Sequence, residues 1–447
     1  MNNRKIFGLA LLLLLMAAAG GLWAQELKFD GYLNSGLGVV VTDKEGEDAY
    51  IKAFGIDSES NGYRFRLNGS YTNEAKNAGA RLRLQGQRRI DVSGYLSMPY
   101  AYGWVGFFDS KLTLTGGIVD DGTWTTADWY WNDDQGEGLG LLLKVEPVKG
   151  LNLAIGAYTI SQQSGGGNNI LSYNGALPNF ANITPRVEDA KYTFNAAYTL
   201  PDTFRLAVSF RTKNRAGWVP YVIDSTTTPP TTSYTADDYG YTGREEPSQL
   251  VGEFRLLAVK GLTGVVIGVL ENIDELSEKG NILFSETFAY KVNDDLNIGL
   301  NAAQFLYNRV DANDDKVDTD PGLLFNIWGS YAFGSVVPRL DLVYFLGGQS
   351  KTASGAKQWE RRGFVPRGGY PSSSGTPTLK DNDEDDYSVF SVRPSVKINL
   401  DSRTFLEIGD IINLDSSTKE GAYPDKDDAK KSTLLTNVFY VDVKFSF

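Results

Sequence analysis

Residues 63–71 read Tyr63-Arg64-Phe65-Arg66-Leu67-Asn68-Gly69-Ser70-Tyr71, and 80–87 read Ala80-Arg81-Leu82-Arg83-Leu84-Gln85-Gly86-Gln87. In both stretches every second residue is apolar or small and the residues between are cationic or polar. That is the period of a strand whose two faces meet different surroundings. In a soluble sandwich the apolar face would point to a core and the arginines to water; in a barrel crossing a membrane the sense is inverted. An arginine against hydrocarbon costs roughly 2 to 4 kcal/mol near the midplane, so four of them require a wet lumen. Tyr63 and Tyr71 share the apolar face, separated by ~26 Å along a strand. Once the strand tilts, that nearly matches the height of the apolar band, one anchor for each aromatic girdle.

Working outward, the same rhythm runs to the last residue. Alternating segments fall at 26–41, 62–72, 79–90, 98–108, 111–119, 138–147, 150–160, 189–200 and 203–211. They continue at 248–259, 262–271, 282–291, 294–306, 323–333, 337–347, 387–399, 403–412 and 434–446. Short connections such as Asp109-Ser110, Pro201-Asp202, Lys260-Gly261 and Asp401-Ser402 alternate with long polar ones: 42–61, 120–137, 161–188, 212–247, 307–322, 348–386 and 413–433. An up-and-down antiparallel meander with its turns at one end and its loops at the other produces this alternation. It is the layout of transmembrane β-barrels with short periplasmic turns and long extracellular loops. The reading is all-β, one barrel over 25–447 with about eighteen strands and sixteen as the alternative. Glu286 and Asp410 fall out of phase with their neighbours, which predicts bulges or misplaced segment boundaries there.

Composition removes other classes. The chain has no Cys and no His, so disulfide frameworks, thiolate zinc sites and His-dependent hydrolase triads are out, and no enzymatic activity is expected. Mean hydropathy is −0.26, far from a helical membrane bundle. The formal charge of −12 disfavours nucleic acid as a partner. Residues 1–24 carry Arg4 and Lys5, an apolar run from Ile6 to Ala19 and small residues ending at Ala24. They read as a secretory signal peptide cut before Gln25.

The chain ends with Phe439, Val441, Val443, Phe445 and Phe447 on one face and Tyr440, Asp442, Lys444 and Ser446 on the other. With the leader and the alternating strands, this aromatic terminal strand resembles the outer-membrane porins of diderm bacteria. The resemblance implies a bacterial outer-membrane location with lipid around the barrel. It also implies an assembly signal in Phe445 and Phe447 read by the barrel-assembly machinery, and a homotrimer.

If the hairpin between the two arginine segments pairs residues whose numbers sum to 151, Arg64 and Arg66 sit high on the wall and Arg81 and Arg83 lower. Arg205, Arg211, Arg255, Arg339, Arg393 and Lys397 share the inward phase. These side chains are candidates for a basic pore lining that favours anions. In the alternative they pair with lumen carboxylates such as Glu253 and Asp341 and only stiffen the wall. The resemblance further implies that the loop at 120–137 folds into the pore, with Asp121, Asp128, Asp133, Asp134 and Glu137 facing the arginines. Trp124, Trp129 and Trp131 in the same loop offer flat faces for stacking on saccharides. Asp311, Asn313 and Asp315 have oxygen ligands at a spacing that could hold Ca²⁺, although the Gly and terminal Glu of an EF-hand loop are missing. Otherwise no cofactor is expected.

Function then narrows to a water-filled channel for passive diffusion of small hydrophilic solutes and ions. The alternatives are a solute-selective channel for anions or saccharides and a surface adhesin acting through its long loops. The inverted pattern predicts that the purified chain stays monodisperse only with surfactant; monodispersity in plain buffer, read by size-exclusion chromatography, would contradict it.

Overall fold

The computed structural model describes residues 26–42, 49–54, 64–87, 95–119, 138–158, 190–215, 222–224, 231–233, 245–246, 248–276, 280–307, 309–310, 316–317, 322–347, 387–417 and 433–447. The leader expected at 1–24 lies outside them. Eighteen barrel strands follow one another: β1 Glu26–Thr42, β2 Arg64–Thr72, β3 Ala78–Gln87, β4 Ala101–Phe107, β5 Leu112–Val119 and β6 Gly138–Val148. Next come β7 Leu151–Tyr158, β8 Lys191–Leu200, β9 Phe204–Arg211, β10 Gln249–Leu256, β11 Leu262–Glu271 and β12 Asn281–Lys291. The last are β13 Leu296–Tyr307, β14 Gly322–Tyr331, β15 Val336–Gly347, β16 Tyr387–Asn399, β17 Thr404–Ser417 and β18 Thr433–Ser446. Every expected segment is a strand. Each pairs antiparallel with the next, and β18 returns to pair with β1 from Tyr32↔Ser446 to Thr42↔Thr436. The sheet is thus closed, which removes the unpaired edges that an open sheet would expose.

Some of what reads as loop is strand. Tyr50–Phe54 pairs with the upper half of β1, above its pairing with β2, and Tyr95–Ser97 extends β4 along β3. Short hairpins at Asn214–Arg215 with Glu245–Glu246, Val222–Asp224 with Thr231–Ser233 and Arg309–Val310 with Lys316–Val317 lie in the long connections. The alternation could not show them because two- and three-residue ladders are too short for a period.

The faces divide as the inverted pattern requires. Phe29, Leu37, Ile155, Phe194, Val208 and Phe439 are about half exposed on the outside, and an outer belt this apolar is a membrane face. No helix among the described residues is long and apolar enough to cross a membrane. Inside, a cluster including Val251, Ile267, Leu283 and Leu324 on β10 to β14 is buried toward the loop end. At the other end the turns are closed by local hydrogen bonds. Between β16 and β17, Asp401 Oδ1 accepts from the N–H groups of Arg403 at 2.6 Å and Thr404 at 2.8 Å. The Arg403 N–H leads in holding that carboxyl below its ordinary range.

The bulges expected at Glu286 and Asp410 are absent. The ladder runs through Val266↔Glu286 and Glu286↔Ala302 without a shift. Asp410 pairs with Phe439 within the unbroken β17–β18 register. The β16–β17 ladder lacks rungs at Arg393 and Pro394, because proline has no N–H to donate, yet the register resumes unchanged. Both carboxylates therefore sit on the outer face. The irregularity falls instead between Val145 and Val148 on β6.

The seam is sealed by backbone and ring together. Gly31 and Phe447 exchange N–H···O bonds of 3.0 Å in both directions. The Phe447 ring stacks on Phe65 at 6.4 Å between centroids. A Cβ on Gly31 would stand 2.1 Å from the Arg66 carbonyl oxygen and 2.8 Å from the Phe447 ring, so only glycine fits. Gly31→Val is expected to destabilise the barrel by about 1–3 kcal/mol through overpacking, read as a lowered unfolding temperature in detergent.

Candidate functional site

The inward arginines owe their position to one hairpin. Between β2 and β3, Asn73 Oδ1 accepts the N–H groups of Asn77 and Ala78 at 3.0 Å, and Asn73 N–H reaches the Ala78 carbonyl at 2.9 Å. Lys76 takes the left-handed conformation at φ 56°. The turn fixes the register from Arg64↔Gln87 to Thr72↔Gly79, in which every couple sums to 151. A slip of one residue in this pairing would turn the two arginines of one strand to the outside.

Inside, Arg66, Arg81 and Arg83 each meet neutral groups. Arg66 Nε donates to Gln85 Oε1 at 2.6 Å, and its guanidinium lies 5.6 Å from the centre of the Tyr32 ring. Lys444 Nζ lies 4.4 Å from the same ring. Arg83 Nε donates to Asn68 Oδ1 at 2.9 Å, and its guanidinium lies 4.7 Å over Tyr100. Arg81 lies 5.7 Å over Trp104, and Trp104 reaches back to Gly79, where a Cβ would come within 2.3 Å of its ring. Cation–π contacts and amide acceptors orient a guanidinium without cancelling its charge. Among the described residues Arg64, Arg81 and Arg83 meet no carboxylate directly.

Two of the other inward cations are seen paired with carboxylates. Arg205 bonds Glu253. Arg339 holds Asp341 through two bonds of 2.7 Å, with its guanidinium 4.2 Å over Trp328. At these two positions the wall-stiffening arrangement is the one present. Arg255 stands opposite Arg205 in the ladder, Arg393 Nε donates to Ser391 Oγ at 2.9 Å, and Lys397 Nζ lies 4.1 Å over Phe405. Arg211 is buried on the inner face of β9. Among described side chains, the inward phase of the barrel carries more than twice as many Lys and Arg as Asp and Glu.

Phe445 and Phe447 lie on the outer face of the seam, about half exposed. Asp121, Trp124, Asp128, Trp129, Trp131, Asp133, Asp134 and Glu137, and also Asp311, Asn313 and Asp315, lie outside the described residues. Sequence reasoning missed Tyr32, Tyr100, Trp104 and Lys444 as partners of the arginines. The inward phase of β1 and β18 already carries Tyr32 and Lys444, but nothing in one strand's pattern says which cation of the next strand a ring will meet.

No protein-family model matches the chain, and no curated protein matches it in sequence. Among solved structures it is similar to a mutant porin of Rhodopseudomonas blastica, at 15% identity and TM-score 0.43 over 94% of this chain and 100% of that one. It is also similar to the outer membrane channel DcaP of Acinetobacter baumannii, at 10% identity and TM-score 0.46 over 94% and 97%. A third is the Vibrio cholerae outer membrane protein OmpT, at 10% identity and TM-score 0.38 over 94% and 99%. In architecture the closed eighteen-stranded barrel resembles porins.

Asn73→Ala removes both acceptor bonds of the turn. At about 0.5–1.5 kcal/mol each, the expected loss is about 1–3 kcal/mol of barrel stability, measured by heat-induced unfolding in detergent.

Proposed function

We propose that the chain is an outer-membrane porin, a water-filled channel through which small hydrophilic solutes and ions diffuse passively, with a preference for anions. A barrel of eighteen strands is too wide for its own wall side chains to fill. The observation that carries the preference is the wall of β2 to β4, where Arg81 and Arg83 are oriented by rings and an amide without a direct carboxylate partner among the described residues. A fixed positive wall raises the local concentration of anions and lowers that of cations. The same reading places the barrel in the outer membrane of a bacterium, after assembly there by recognition of its terminal strand, as a homotrimer. Residues 1–24 act in it as the export signal, and the loop at 120–137 narrows the pore.

Planar-bilayer recording tests both parts. The protein is expected to give discrete conductance steps, and their complete absence would overturn the channel. In a salt gradient the reversal potential should report anion preference. Two unit charges 4 Å apart in water interact by about 1 kcal/mol. Arg81→Ala plus Arg83→Ala is therefore expected to lower the anion-to-cation permeability ratio by up to about fivefold per charge. Arg205→Ala plus Glu253→Ala removes a pair whose charges already cancel and should leave the ratio near its starting value. Equal effects of the two double variants would refute the assignment of selectivity to β2–β4.

A further inference from the structure

Twice on the inner wall an arginine lies over an indole that itself lies against a glycine. On β14, Trp328 stands opposite Gly299, where a Cβ would run into its ring, and the Arg339 guanidinium lies 4.2 Å from the ring centre. That guanidinium holds the Asp341 carboxylate through two bonds of 2.7 Å. On β4, Trp104 stands opposite Gly79, where a Cβ would again run into the ring, and the Arg81 guanidinium lies 5.7 Å from its centre. Among the described residues Arg81 has no acid partner of its own. A ring beside a guanidinium orients its planar fork, and the fork matches the two oxygens of a carboxylate. The β14–β15 wall thus shows what such an arrangement holds, and the β3–β4 wall repeats it without supplying the acid from the chain.

The β3–β4 wall adds further rings. Tyr100, just before β4, and Tyr102 and Trp104 on it follow one another along the wall, all partly exposed. Their centroids lie 5.8 and 6.3 Å apart, and their planes are tilted by 50° and 54°. Arg83, two residues from Arg81, lies 4.7 Å over Tyr100 and donates to Asn68. Asn68 in turn donates to Asp30 at 2.5 Å, so that carboxylate stands one link away from Arg83. These spacings and tilts are the ones that aromatic rings adopt among themselves, and a further ring can join the row from the lumen. Rings tilted by 50° to one another offer no common plane on which a saccharide could lie.

We propose that the β3–β4 wall binds carboxylates that carry an aromatic ring. Arg81 or Arg83 takes the carboxylate, as Arg339 takes Asp341, and the row of Tyr100, Tyr102 and Trp104 takes the ring. The inference rests on the channel reading, which brings solutes to this wall, and narrows its anions to one chemical class.

Benzoate is the probe, with cyclohexanecarboxylate and glucuronate matched to it in charge. Binding is read by titration calorimetry on the full chain in detergent, and occupancy of the channel by the fall in single-channel current as each acid is added. Benzoate is expected to bind about two- to tenfold more tightly than cyclohexanecarboxylate, the contribution of one aromatic pair beyond its area. Tyr100→Leu plus Trp104→Leu should bring that ratio to one. Trp328→Leu, beside an arginine that Asp341 already holds, should leave it unchanged. No binding of benzoate, equal binding of the two ring acids, tighter binding of glucuronate, or a ratio that survives the leucine pair overturns the proposal. Where the leucine pair fails to assemble, Arg81→Gln plus Arg83→Gln decides: a several-fold loss of benzoate affinity supports the site, and an undiminished affinity overturns it. Conductance steps are read on the same preparations. A conducting protein without a preference for benzoate sinks this site alone, while a silent one that binds benzoate with the expected ratio sinks the channel alone.

Discussion

Everything in this molecule depends on an uninterrupted register. Strand side chains alternate, so once one residue of a closed sheet is assigned to the inside, the pairing fixes the face of every other residue along the ladders. The β1–β18 seam completes the constraint: Tyr32, Asn34 and Gly36 must face inward because Ser446, Lys444 and Asp442 do. Asn34 Nδ2 donating to Asp442 Oδ2 at 2.6 Å, both buried, shows the seam working on the inside, and Phe447 over Gly31 shows it on the outside. A one-residue error in the β2–β3 pairing would place two arginines against lipid, at a cost of roughly 4–8 kcal/mol that is a large part of a domain's stability. Register is therefore the property that turns and glycines in this chain protect.

The same constraint shapes the electrostatics. A side chain in a wet lumen is free to move unless something holds it, and what holds it decides whether its charge remains. Glu253 and Asp341 hold Arg205 and Arg339 at the expense of their net field. Trp104, Tyr100 and Asn68 hold Arg81 and Arg83 without a direct ion pair, although Asn68 also donates to the Asp30 carboxylate on β1. The two modes sit on different parts of the barrel, β9, β10, β14 and β15 against β2 to β4. One barrel can thus be stiffened on one side and polarised on the other. Neither pair is fully exposed, and Glu253 is buried, so removing one partner would leave an uncompensated charge and each pair both cancels field and holds its wall.

The fold was legible almost entirely from alternation. The eighteen segments, the sum of 151 across the β2–β3 hairpin and the outward phase of Phe194, Phe204 and Ile327 follow from period and turn chemistry alone. Two kinds of information were not. Short ladders such as Val222–Asp224 with Thr231–Ser233 carry no measurable period. Contacts across neighbouring strands, such as Arg83 over Tyr100, depend on stagger and side-chain reach rather than on any single strand's sequence. The candidate site was thus legible as a set of inward cations. Glu253 and Asp341 were legible as pairing acids and both do pair, but which arginine each takes depends on side-chain reach across the wall.

Glu286 and Asp410 show how a local rule misleads when a global one is stronger. An acid among outward apolar residues reads as a slipped phase, because a slip would return it to water. A bulge, however, would reverse every residue beyond it, exposing Phe288 and Tyr290, or Leu414 and Leu406, to the lumen while sending their polar neighbours into lipid. One misplaced carboxylate is cheaper than half a strand inverted, so the register holds and the acid stays outside. A carboxylate kept on an apolar wall by that arithmetic retains an unmet need for donors. The Asn437 amide beside Asp410 meets part of it, and the other oxygen, Oδ1, is buried within the wall itself.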